Sequence, residues 1–374
     1  MAKKKMYTGT VTMENGKRKY VRSTSKEGFD KKMLDAQVEA GKGVDLTDDT
    51  TFGEFAQLWY ENYKKPYLRE NSLEHIRYVL NKHIMPKLAL KPLRSITPMQ
   101  IRSIMGSLSG FSQELNRKTL QILRSIFDAA VENHLISTSP VPANLHPGGI
   151  PTKEEIPLTI EQSQRLLRAT KGTRAYIAVA LMLGAGLRRE EVCGLMWKDI
   201  NFRKGVIKVQ HAKAFHSGRG EVSEQLKSRA AYREIPLQDW LLEALREAHR
   251  ASGSEFVLSM PNGDSITHSS WQKLWKVIQT RTTDNPKLLG QPISPRHPSV
   301  KYELDFHCHP HQLRHTCVTR WIEAGLDMKE VQYLAGHATP DMTMRLYAHY
   351  DLAGRKEITA QKMRESALLA QLSV

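Results

Sequence analysis

Cysteine is scarce in this chain, and nothing in it speaks for a disulfide scaffold or a membrane. Cys193, Cys308 and Cys317 are the only three cysteines in 374 residues, and an odd number without framework spacing argues against a paired scaffold. No apolar run approaches the ~20 residues needed to cross a bilayer. Met1-Ala2-Lys3-Lys4-Lys5 carries charge with no apolar core behind it, unlike a secretion signal. A cytoplasmic, reducing setting is the expectation. Acidic residues are also in deficit: 39 Asp and Glu against 55 Lys and Arg leave a formal net charge of +16. No cluster of carboxylates suits the pair of Mg²⁺ ions that a two-metal nuclease needs. His307-Cys308-His309-Pro310-His311 contains good zinc donors, but no second cluster with finger spacing accompanies it. On an extended segment Cys308 would also face away from His307 and His309. Neither a metal nor another cofactor is expected. Internal repeats and low-complexity tracts are absent too.

What remains is an ordinary globular composition, 40% hydrophobic and 25% charged, long enough for two or three domains. A surface this basic attracts polyanions, nucleic acid first. Solubility is the plainer reason for excess lysine and arginine.

Three segments follow along the chain. Met6 to Met13 and Arg18 to Thr24 read as strands around Asn15-Gly16, a strong two-residue hairpin turn. Phe29, Met33, Leu34 and Val38 have a helical spacing that would cover this sheet, with Gly41-Lys42-Gly43 ending the helix. Lys17, Arg18, Lys19 and Arg22 crowd the hairpin. An acidic linker, Asp45 to Asp49, leads to a helical block. Thr51 would cap its first helix, which carries Phe52, Phe55, Leu58, Trp59 and Tyr63. Further helices are expected near Ser72–His83, Thr97–Ser107 and Asn116–Asn133. Lys64, Lys65, Arg69, Arg117 and Lys118 lie at helix ends, where they could meet a DNA backbone or simply solvate a surface. Prolines and glycines break the pattern from Ser137 to Gly149.

From Pro157 the pattern becomes mixed α/β. Thr159 would cap a helix, Tyr176 to Leu183 is apolar, Val206 to Val209 is a strand, and Trp271 to Ile278 is a helix. Thr282 to Tyr302, rich in Pro, Ser and Lys, is either a flexible insertion or a small hairpin.

The chemistry concentrates here. Gly186-Leu187-Arg188 delivers an arginine to the start of a helix, with Glu191 one turn on as its partner. Lys227-Ser228 precedes the strand from Arg233 to Leu237. His311 and Arg314 share one helix face, and Gly336-His337 and Tyr347-Ala348-His349 follow. Arginine forks suit phosphate oxygens, and fixed cationic donors stabilise the charge that develops on an attacked phosphodiester. Thr339-Pro340-Asp341 starts the helix of Tyr347, with Met342 and Leu346 expected to pack inward.

Arg188, Lys227, His311-x-x-Arg314, His337 and Tyr347, in that order, resemble the tyrosine recombinase (phage-type integrase) family, most like integrases of conjugative transposons and temperate phages. The resemblance implies three domains: a β-hairpin/α arm-type DNA-binding domain over 1–44, an all-α core-binding domain over 50–145, and a mainly α catalytic domain with a small antiparallel sheet over 155–374. The arm-type domain usually has a third strand, which finds no place here. By the same resemblance Tyr347 is the nucleophile, since Gly336-His337 and Thr343 set its position. Arg188, Arg314 and His337 bind the phosphate, His311 accepts the phenol proton, and Lys227 is the acid for the leaving 5′-oxygen. Gln312 stands where the family commonly has an acidic residue, which bears on the pKa of His311. The implied partners are double-stranded DNA at element ends and target sites, further copies in a tetramer, and excision or DNA-bending factors. Ile358 to Leu372 reads as a last amphipathic helix, docked on a neighbour or on its own domain. A type IB topoisomerase shares the chemistry but relaxes one duplex. A DNA-binding regulator with a silent catalytic domain would lack one of the six residues, and none is missing.

Overall fold

The computed structural model describes residues 5–13, 16–45, 47–151, 155–216, 219–223 and 229–348, with backbone alone at 216, 219–221, 223, 229 and 345–348. The expected helix 358–372 lies outside these residues. Contacts divide the chain into two units, Met1–Glu154 and Glu155–Val374.

The first unit holds two separate apolar cores. Antiparallel strands β1 (Tyr7–Thr12) and β2 (Arg18–Ser23) pair with Thr12 opposite Arg18. The Met13 N–H donates to the Lys17 carbonyl at 3.0 Å, so the loop spans three residues rather than the expected two. Among the described residues this sheet has two strands. Helix α1 (Lys26–Ala40), capped by Ser25, packs Phe29, Met33, Ala36 and Ala40 against Val11, Met13 and Val21. Leu34 and Val38, expected on that face, are exposed instead. Burial favours the smaller Ala36 and Ala40 because their positions, not those of Leu34 and Val38, fall on the helix stripe that meets the sheet.

The helical block comprises α2 (Phe52–Trp59), α3 (Glu70–Val79), a short α4 (Met85–Leu88), α5 (Pro98–Gly106) and α6 (Gln113–Glu132). Thr51 and Glu54 form a reciprocal capping box on α2. The turns after α2 and α3, Tyr60–Lys64 and Leu80–Ile84, are π-helical. Phe52, Trp59, Ile101, Leu123 and Phe127 fill the core. Leu58 is exposed, since Ala56 and Tyr60 take the inward positions around it.

In the second unit, α7 (Ile160–Thr170) starts at the expected Thr159, and the apolar α8 (Ala175–Ala185) is nearly all buried. Helix α9 (Arg189–Gly194) follows. Strands β3 (Ile200–Asn201), β4 (Val206–Val209) and β7 (Arg233–Pro236) form one antiparallel sheet. β5 (Ala212–His216) and β6 (Arg219–Ser223) form a separate hairpin between them. Helices α10 (Asp239–Arg250), α11 (His268–Gln279), α12 (Pro310–Glu323), α13 (Met328–Ala335) and α14 (Pro340–Ala348) complete the unit. The segment from Thr282 to Tyr302 is a small ordered hairpin: the Tyr302 N–H donates to Gln291 at 3.0 Å and the Ile293 N–H to Val300 at 3.0 Å. No helix among the described residues is long and apolar enough to cross a membrane.

Phe127 is fully buried and its ring meets that of Phe52 at 5.6 Å. Phe127→Ala should therefore lower stability by about 3–5 kcal/mol, read as a shift in the urea unfolding midpoint.

Candidate active site

The candidate side chains come from the ends of regular elements. Helix α8 stops at Gly186, whose φ of 60° lies in the left-handed region, where glycine bears no Cβ penalty. Two residues later Arg188 is the N-cap of α9. No hydroxyl caps this helix. Glu191 reaches back instead, accepting the Arg188 N–H at 2.8 Å and the Arg188 Nη1 at 2.8 Å. The expected Arg188–Glu191 pair is thus present, with Glu191 buried.

Helix α13 ends in the same way, at Gly336 with φ 62°. Arg188 Nη2 donates to the Gly336 carbonyl at 2.6 Å, which brings His337 beside the arginine. The His337 ring is buried, and its Nδ1 lies 2.9 Å from Thr343 Oγ1 on α14. Thr343 is fully buried, whereas Met342 is about half exposed. The inward residue of this turn is therefore the threonine and not the methionine, because the His337 hydrogen bond fixes the helix rotation. Tyr347 lies one turn further along α14, with its backbone alone described.

Arg314 joins the two turns. Its terminal nitrogens donate to the carbonyls of Gly186 and Ala335, and only 3% of the residue is exposed. His311 is one turn earlier on α12 and open to solvent. His309 is the N-cap of α12 and reaches Glu155 at 2.7 Å. Gln312 Nε2 donates to the Ile156 carbonyl at 2.9 Å, a bond that a carboxylate could not make. Cys308 is buried while His307 and His309 are exposed, the alternation expected of an extended segment. Among the described residues no group of three or more His, Cys, Asp or Glu side chains could hold a metal ion. Lys227 lies outside the described residues.

One residue of the site escaped sequence reasoning. Arg233, on β7, has a fully buried side chain. Its Nη1 and Nη2 donate to the two oxygens of Glu191, each at 2.9 Å, and its Nε to the Leu334 carbonyl at 2.7 Å. The signal was available: alternation along the strand puts Arg233 on the same inward face as the buried Ile235.

Three guanidiniums, Arg188, Arg233 and Arg314, thus surround one carboxylate. Burial raises the pKa of Glu191, but the Arg233 hydrogen bonds and the three positive charges outweigh it and hold the group at about 2. Burial, then the Arg188 charge, lowers Arg314 to about 9, so it stays protonated at neutral pH. Burial, then Arg314 and Arg188, push His337 down to about 3. The protein around His311 lowers its pKa as well, with Arg314 adding to this and Glu155 opposing it. Both imidazoles are therefore neutral near pH 7, and the cationic character rests on the arginines.

The predicted DNA-contacting groups are scattered by comparison. Arg18 and Arg22 alternate with Tyr20 on the solvent face of the hairpin, opposite Thr12, Thr10 and Thr8. Lys19 is on the other face, beside α1, because successive strand residues point in opposite directions. Lys17 is exposed and paired with Asp45 at 2.8 Å. In the helical block, Lys65 pairs with Glu61, and Arg117 and Lys118 with Glu114. Lys64 lies over the Trp59 ring at 4.9 Å, and Arg69 is exposed ahead of α3.

The profile described as the Phage integrase family matches residues 154–353, more than half of the chain. This chain belongs to that family. A second profile, Phage integrase, N-terminal SAM-like domain, matches residues 51–109. The transposase of transposon Tn916 from Enterococcus faecalis is 24% identical over 352 residues, 89% of this chain and 84% of that protein. A XerC-like tyrosine recombinase from Caldanaerobacter subterraneus subsp. tengcongensis is 25% identical over 390 residues, 92% of this chain and 93% of its own. The fold is similar to that of the Tn1549 transposon integrase in complex with transposon right end DNA, with a TM-score of 0.68 at 21% identity, covering 83% of this chain and 99% of that one. It is also similar to a lambda integrase tetramer bound to a Holliday junction, with a TM-score of 0.57 at 16% identity over 91% and 94%. The chain is a tyrosine-type site-specific recombinase, and neither the topoisomerase nor the silent-regulator alternative is favoured.

An imidazole held neutral when folded but free to protonate when unfolded makes acid destabilising. Stability should fall as the pH drops from ~6.5 toward the His337 value of about 3. His337→Gln should remove this part of the slope, on the order of 2 kcal/mol between pH 7 and 5, seen by comparing urea midpoints of the two proteins at both pH values.

Proposed function

We propose that this recombinase cuts and rejoins DNA through a 3′-phosphotyrosyl link at Tyr347, with Arg188, Arg314, His311, His337 and Lys227 as its catalytic partners. The Tyr347 oxygen attacks the scissile phosphorus and the bond to the 5′-oxygen breaks. His311, neutral at pH 7, accepts the phenol proton. The Lys227 ammonium gives a proton to the departing 5′-oxygen, which leaves as a hydroxyl. Ester exchange conserves the bond energy, so the 5′-hydroxyl of a partner strand can reverse the step without a cofactor. When Thr343 donates to Nδ1 of His337, the Nε2–H of the ring is left to meet a phosphate oxygen. The observation that carries this reading is the union of Arg188 and His337 across the Gly336 carbonyl, where three guanidiniums exceed one carboxylate. Such an excess of fixed donors stabilises charge that builds up on an attacked phosphodiester.

The partners in this reading are double-stranded DNA at element ends and target sites, three further copies of the chain, and excision or DNA-bending factors, all in the cytoplasm. Residues 1–44 serve as an arm-type DNA-binding domain, 50–145 as the core-binding domain and 155–374 as the catalytic domain. Support comes from the basic balance of +16, from the similarity to the Tn916 transposase, and from fold neighbours that are the Tn1549 transposon integrase and lambda integrase, each bound to DNA.

A randomised pool of nicked duplexes, incubated with the chain and stripped under denaturing conditions, should yield a covalent adduct that peptide mass spectrometry places on Tyr347. Tyr347→Phe should form no adduct while DNA binding stays nearly unchanged. Lys227→Ala should be slow on ordinary DNA yet regain its rate when sulfur replaces the leaving 5′-oxygen, since a thiolate leaves without an acid. An adduct in the Phe variant would reassign the nucleophile, and absence of the sulfur rescue would remove Lys227 from its role.

The hairpin face predicts a second outcome. Replacing Arg18 and Arg22 by Ala should reduce the slope of log affinity against log salt for long duplexes by about 2, roughly one per lost phosphate contact. Lys17→Ala should leave it unchanged, because Asp45 already holds that ammonium. Equal slopes for all three proteins would make the face an ordinary solvated surface.

A further inference from the structure

We infer that Arg233 is a positioning residue for strand cleavage: it holds the Glu191 carboxylate and the Gly336 turn in the arrangement that leaves the Arg188 guanidinium directed at the phosphate. The inference rests on the catalytic reading above. Arg233 itself touches no reacting atom, since its side chain is wholly buried.

The hydrogen-bond count on Glu191 shows how the control is exerted. Four donors reach its two oxygens: the Arg188 N–H, Arg188 Nη1, and Arg233 Nη1 and Nη2. Arg233 supplies half of them and lies closest in character to a full ionic partner, a fork meeting both oxygens at 2.9 Å. A buried carboxylate without this fork would have Arg188 as its only hydrogen-bonded cation and would draw that guanidinium inward. With the fork in place, Arg188 gives Glu191 one terminal nitrogen and Gly336 the other. Its Nε–H and second terminal hydrogens remain for an external anion.

The same side chain fixes the turn that carries His337. Arg233 Nε bonds the Leu334 carbonyl at 2.7 Å. A Cβ at residue 336 would fall 2.9 Å from Arg233 Nη1 and 3.1 Å from the Ala230 carbonyl oxygen. The guanidinium therefore occupies the space that a side chain there would need. Two candidate segments converge on one residue: Arg188 through Glu191 and His337 through its turn. A lysine could supply charge but not a planar fork joined to a third donor.

A nicked duplex recovered by covalent capture on the wild-type chain provides the substrate. Single-turnover cleavage and DNA affinity are compared for wild type, Arg233→Lys, Arg233→Met and the double variant Arg233→Met/Glu191→Gln. Arg233→Met should slow cleavage about 10²-fold, the scale of a displaced catalytic group, with affinity changed by less than roughly threefold. Arg233→Lys should fall between. Adding Glu191→Gln should recover about tenfold or more of the loss, because no uncompensated carboxylate then competes for Arg188. The ratio of the wild-type to the Arg233→Met rate should also shrink as the pH is lowered and Glu191 protonates, since loss of the His311 base slows both proteins alike. A wild-type rate in Arg233→Met would overturn the inference. So would parallel loss of cleavage and affinity that Glu191→Gln does not relieve. If Arg233→Met does not fold, a wild-type rate in Arg233→Lys overturns it equally. If the wild type captures no duplex at all, the catalytic reading and this inference fall together.

Discussion

A single buried carboxylate organises the candidate site of the second unit. Glu191 caps the helix that starts at Arg188, pairs with the Arg188 guanidinium and receives both arms of Arg233. Moving a carboxylate out of water is costly unless its oxygens are satisfied and its charge is matched. Here both conditions are met by groups that have a second use. Matching the charge with more than one cation leaves a positive excess at the site. The cap, the ion pair and the cationic pocket are one structure seen at three scales.

The backbone carries the same logic outward. Two left-handed glycines, Gly186 and Gly336, end α8 and α13. The carbonyl of one and a carbonyl adjoining the other are held by Arg314. Helix ends leave carbonyls without intrahelical partners, and a buried guanidinium is a suitable donor for two of them at once. Arg314 therefore stabilises the turns that present Arg188 and His337 and adds its charge to the pocket. His337 is then held neutral by burial and by those charges, and its ring is oriented by the contact with Thr343. The Thr343 contact couples this pocket to the helix of Tyr347.

The N-terminal unit follows a different physics. Its hairpin buries one face under α1 and leaves Arg18, Tyr20 and Arg22 on the other. Strand alternation, rather than the number of basic residues, decides which of them face outward. In the helical block most of the basic residues at helix ends are answered by glutamates within a turn. Exposed pairs of this kind contribute little to stability.

Local pattern was sufficient for most elements. Thr51 and Thr159 begin helices where their capping positions indicate, Val206–Val209 is a strand, and the glycines at 186 and 336 end helices because few other residues accept a positive φ. The order of Arg188, His311-x-x-Arg314, His337 and Tyr347 carried the resemblance to the family to which the chain belongs. Tertiary structure decided the rest. Leu34, Val38, Leu58 and Met342 are apolar yet exposed, because helical period alone leaves the exact orientation of the buried stripe open by a residue or so. Gln312 proved to be a backbone anchor, which no spacing announces. Arg233 shows the limit most clearly: in sequence it is one more arginine beside a strand, and its importance comes from a carboxylate 42 residues earlier and a helix end 101 residues later. Hydrogen-bond partners so far apart along the chain are set only when the elements pack.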